Sequence, residues 1–71
     1  MDRTALLEQL KEAERNISEG VSRLARQEVQ IVELDREGRE SQRAKIVLAT
    51  LKEMLARHYE DRERILMELK K

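Results

Sequence analysis

From Ala44 onward, one set of positions recurs without a break: Ala44, Leu48, Leu51, Leu55, His58, Arg62, Ile65 and Leu69, at steps of 4, 3, 4, 3, 4, 3, 4. This is a heptad seam, the spacing that holds one side of a helix against a second helix along its whole length. A strand would need alternation at every second residue, and no stretch of the chain supplies it. The seam therefore calls for a partner helix, and the first half of the chain contains one.

Leu6, Leu10, Ala13 and Ile17, then Val21 and Leu24, then Ile31 and Leu34 keep to one side of a helix by 3 and 4 residue steps within each group. Asp2 or Thr4 can cap its start. Gly38 follows the charged run Asp35-Arg36-Glu37, where a left-handed C-cap needs a glycine. Ser41 can then cap the second helix with its hydroxyl. Proline is absent and Gly20 is the only other glycine, so few other turns are available. These signals predict an all-α chain: one antiparallel two-helix hairpin over residues 1–71, with helix 1 about 3–37, a turn about 38–41 and helix 2 about 42–70. The rival is one continuous helix through Gly38 in a swapped dimer, since a mid-helix glycine costs only about 1 kcal/mol.

Composition agrees with long helices: 42% of residues are charged and 39% apolar, with one tyrosine as the only aromatic residue. Without cysteine there is neither a disulfide framework nor a thiolate metal site. The longest apolar run is four residues, 46–49, far short of a membrane span. The N-terminus lacks a basic flank followed by an apolar run, so the expected location is the cytoplasm. Fifteen basic and fifteen acidic residues cancel overall but not by half: residues 2–37 carry −3 and residues 39–71 carry +3. Exposed pairs contribute only about 0–1 kcal/mol each, so this asymmetry selects partner and register more than it stabilises. Glu19–Arg23, Glu53–Arg57 and Glu60–Arg64 are spaced for helical ion pairs.

The predicted intrachain seam joins Leu6, Leu10, Ile17, Leu24 and Ile31 to Leu48, Leu51, Leu55, Ile65 and Leu69. A second row (Leu7, Val21, Ala25, Val29, Val32) widens the apolar side of helix 1, and Val47 and Met54 flank the seam of helix 2. A lone hairpin about 45–50 Å long, at roughly 1.5 Å rise per residue, leaves those rows wet. Val21, Ala25, Val29, Val32, Val47 and Met54 are therefore the expected oligomer contact, pairing two hairpins into a four-helix bundle. The expected partners are a second copy and another protein, with no membrane.

His58, Tyr59 and Arg62 interrupt the seam. In a hairpin centred near Gly38, His58 lies level with Gly20 and Arg62 with Glu14. The expected arrangement is a polar layer that fixes register: the missing Gly20 side chain makes room for the imidazole or phenol, and Arg62 reaches Glu14. Catalysis is disfavoured, because no serine, threonine or cysteine obviously joins His58 and convex bundles lack a water-excluding pocket. No metal or cofactor site is expected, since Leu55 stands where a Glu-x-x-His motif would need its carboxylate. The alternative function is a small nucleic-acid-associated regulator using Arg36, Arg39, Arg43 and Lys45 around the turn. Against it, Glu33, Asp35, Glu37 and Glu40 interleave those cations, and no aromatic is there to stack.

Ser18-Glu19-Gly20, Leu24-Ala25-Arg26-Gln27, Glu33-Leu34-Asp35-Arg36-Glu37-Gly38, Leu48-Ala49-Thr50, His58 and Asp61-Arg62-Glu63-Arg64 also carry a resemblance. Over nearly its whole length the chain resembles a group of short helical-hairpin proteins of alphaproteobacteria, rhizobial relatives among them, that has no assigned activity. The resemblance implies a hairpin and a bacterial cytosolic setting, and nothing on mechanism. Where similar proteins place an acidic or threonine cap after the turn glycine, this chain has Arg39-Glu40-Ser41.

Overall fold

The computed structural model describes residues 2–71 as two antiparallel helices, α1 (Arg3–Arg36) and α2 (Gln42–Leu69), forming a rod 53 Å long and 14 by 13 Å across. The chain is an all-α hairpin. Among the described residues no helix is long and apolar enough to cross a membrane.

α1 starts at Asp2, whose carboxylate accepts the Thr4 amide at 3.0 Å and so satisfies one of the orphan donors of the first turn. It stops in a Schellman turn. The Gly38 amide donates to the Asp35 carbonyl at 3.1 Å and the Arg39 amide reaches back to Leu34 at 2.9 Å. Gly38 has φ +69°, the left-handed region that a side chain resists, so the helix breaks here and does not run through. A Cβ at Gly38 would meet nothing within 4 Å, which makes the position a pure backbone probe. Gly38→Ala is expected to lose about 1 kcal/mol, because the left-handed penalty of roughly 1–2 kcal/mol exceeds the unfolded-state gain of about 0.4–1. Urea titration should show a lower midpoint at unchanged slope, with Gly38→Asn falling between the two.

The start of α2 departs from expectation. Ser41 occupies the cap position, but its hydroxyl makes no capping bond; it donates to the Asp35 carboxylate at 2.7 Å. With φ −115° and ψ 1°, Ser41 lacks the extended backbone that aims a cap oxygen at the first-turn amides. Glu40 takes over, accepting the Gln42 amide at 2.7 Å. Ser41 is thereby buried as a latch between the two helix ends.

The seam between α1 and α2 is one residue layer deep. Leu6, Ile31, Leu55 and Ile65 are buried together with Ala13 and Ala44, and Leu10, Ile17, Leu24, Leu48, Leu51 and Leu69 are half-buried. Leu6, Ala13 and Ile65 cluster at the open end, flanked by Leu10 and Leu69, and Arg3 extends toward the Leu69 carbonyl at 3.5 Å. No large side chain among the described residues is fully enclosed. Two helices alone surround no interior, so every seam residue keeps one edge in water.

Candidate functional site

The polar interruption of the seam is built differently from its expected form. Gly20 faces Leu55: a Cβ on Gly20 would stand 3.0 Å from Leu55 Cδ1. Tyr59 points away from the seam and is 44% exposed, because it lies one residue, and so about 100° of helical turn, beyond the seam position of His58. The room left by Gly20 is thus occupied by a leucine, and Tyr59 is no part of a layer. His58 sits half-buried at the rim of a cleft of about 130 Å³ that it shares with Asn16, Gly20, Arg23, Met54 and Leu55.

Gly20 does not need to be glycine for its backbone, which is ordinary helix. Only the Leu55 methyl opposes a side chain there, and that methyl borders open cleft into which it can turn. Gly20→Ala is expected to raise stability by roughly 0.5–1 kcal/mol, the usual helix preference of alanine over glycine. A higher melting temperature in circular dichroism would confirm it; a lower one would mean Leu55 is locked in place.

One ion pair crosses between the helices among the described residues: Arg62 Nε lies 3.8 Å from Glu14. Both side chains are more than a third exposed, so the pair contributes at most about 1 kcal/mol and acts mainly on register. Arg62 also reaches Glu63 at 3.4 Å. The carboxylate available to orient His58, Asp61, is held by Arg64 at 2.6 Å. That contact replaces the expected Glu60–Arg64 pairing by a shorter i,i+3 one. Thr50, the nearest aliphatic hydroxyl along α2, bonds back to the Ile46 carbonyl at 3.2 Å. No three metal-capable side chains converge among the described residues.

Two further interhelical contacts were missed by the sequence reading. Gln27 stands in the seam between Leu24 and Ile31 and donates to the Ala44 carbonyl at 2.9 Å, so its amide is partnered without leaving the interface. Its step of three from Leu24 was the available clue. The other is the Ser41–Asp35 latch. At the turn, Arg39 approaches Glu37 at 3.9 Å, and Arg43 shares a shallow cleft with Glu40, so acidic groups accompany the turn cations.

The chain matches no family model, no curated protein and no solved structure. Function has to be argued from surface, and the surface is uneven. Leu7, Val21, Val29 and Val32 of α1 and Ile46, Val47, Met54 and Met67 of α2 are all exposed. The six expected contact residues do not form one patch. Met54 lines the cleft with Asn16 and Arg23, and Val47 a second cleft with Gln27 and Gln30. Asn16 and Arg23 lie on one flank of the α1 seam, whereas Val21, Ala25 and Val32 project about 70–110° to its other side, by the 100° per residue of a helix. A single flat contact therefore takes Val21, Ala25 and Val32 without Val47 and Met54.

Proposed function

We propose that the chain is a non-enzymatic, self-associating helical hairpin that acts by presenting helical surface to other proteins, in a bacterial cytoplasmic setting. The observation that carries this reading is apolar surface outside the seam. Leu7, Val21 and Val32 are each about half exposed, in a chain whose own core is one layer deep. Exposed apolar groups gathered on one flank mark association surfaces in soluble proteins, and Val21, Ala25 and Val32 share a flank here. A 71-residue hairpin also gains most from a partner, because pairing converts a wet stripe into a second core. The bacterial cytoplasmic setting is proposed from the sequence resemblance alone.

Light scattering over a concentration series, with circular dichroism in parallel, tests it. A helical species near twice 8.4 kDa is expected. A well-folded monomer at every concentration would overturn self-association and leave the row as a site for a different protein.

A further inference from the structure

We infer that the second copy covers one particular flank of the hairpin, about a twofold axis parallel to the helices, so that α1 of each copy lies over α2 of the other. This rests on the self-association reading and specifies its geometry.

The flank is a second heptad stripe. On α1 it steps 4 and 3 from Leu7 to Asp35, and on α2 it steps 3 and 4 from Gln42 to Lys70. The α1 stripe includes Leu7, Ser18, Val21, Ala25 and Val32, all exposed in the single chain. The α2 stripe includes Ala49, Ala56, Tyr59 and Leu66, of which only Leu66 is half-buried. Ser18, Ala25, Ala49 and Ala56 are small, and small residues let helix axes approach to about 8 Å. The opposite flank offers nothing equivalent on α1, where Gln9, Asn16, Arg23 and Gln30 recur every seven residues beside Met54 and Val47. The broad side of the rod, 53 Å by 14 Å, is of the order of the ~800 Å² per partner that a stable interface buries.

Charge selects the occupant and its orientation. The α1 stripe carries Glu14, Glu28 and Asp35 against one base, Lys11; the α2 stripe carries Lys45, Lys52 and Lys70 against one acid, Glu63. A second copy presents the complement of each stripe. Laying α1 on α1 would set the acidic stripe against itself and the basic stripe against itself. A twofold axis parallel to the helices instead keeps every residue at its own level and crosses α1 over α2. Glu28 then faces the second copy's Lys45, Lys11 its Glu63, Ala25 its Ala49 and Leu7 its Leu66. Both charged pairings are of opposite sign, Ser18 meets Ala56, and Val21 and Val32 lie against the aliphatic stems of Lys52 and Gln42.

The chain has no cysteine, so single introduced thiols report directly. Affinity-tagged Ala25→Cys and untagged Ala49→Cys are refolded together, oxidised mildly and run without reductant, beside each variant alone. The expected result is a mixed disulfide dimer in the mixture and little cross-linking of either variant by itself. Self-cross-linking of Ser18→Cys would place α1 on α1, and self-cross-linking of Met54→Cys would move the contact to the opposite flank; either overturns the arrangement. A scattering mass of two chains without the mixed disulfide also overturns it while leaving self-association standing. A single-chain mass for the unmodified protein at all concentrations overturns both.

Discussion

Leu55→Ala is expected to remove about 3–5 kcal/mol of stability, among the larger losses of single truncations in the seam. Leucine-to-alanine changes in cores span roughly 2–5 kcal/mol according to how far the site can close. Here it closes poorly. Leu55 is the most buried leucine of α2 at 9% exposure, and the residue across from it is Gly20, which has no side chain to move into the hole. A chain of this size holds roughly 4–10 kcal/mol in total, so the variant should lose most of its cooperative melt. The pairing gives a sharper check. Gly20→Val alone should cost about 1–3 kcal/mol by overpacking against Leu55. Combined with Leu55→Ala it returns three carbons to the space the leucine vacates, and the double variant should lose less than the sum of the two single losses by about 1 kcal/mol or more. Additive losses in a thermal or urea series would mean that Gly20 and Leu55 do not share a site.

That same pair shows how far the sequence could be read. The hairpin itself was legible, because heptad steps from Ala44 to Leu69 leave helix as the only solution and Gly38 follows the charged end of the first apolar series. What counting could not supply is which residue of a level fills which gap. Gly20 was expected to make room for His58 or Tyr59, yet Leu55 reaches it first. Leu55, His58 and Tyr59 all lie within one turn of the level of Gly20, and only packing chooses among them. Ser41 illustrates a second limit. Its identity suits a helix cap, but capping depends on backbone angles that the residue type does not reveal, and its hydroxyl turned to Asp35. The apolar rows were visible as rows, but not as faces. Val21 and Met54 share exposure and chemistry and sit on opposite flanks, a distinction that appears only once both helices are laid side by side.

Flank therefore decides the outcome of charge insertion. Val21→Lys combined with Ala25→Lys is expected to weaken self-association by at least about a hundredfold, whereas Met54→Lys should leave it unchanged. In the inferred bundle the two new cations enter a face that already receives Lys45 and Lys52 from the second copy, and the twofold axis repeats the insult. An uncompensated charge in a buried contact costs on the order of 3–5 kcal/mol, and the added side chains also displace the small residues that let the helices approach. Met54 borders an open polar cleft with Asn16, Glu19 and Arg23, where an ammonium group stays in water and near a carboxylate. Scattering at a concentration where the unmodified chain is dimeric should give close to 8.4 kDa for the double variant and close to twice that for Met54→Lys. The reverse pattern would put the contact on the other flank. Helical signal in the separated double variant would then show whether a single one-layer seam, with Leu55 against Gly20 at its middle, holds the hairpin unaided.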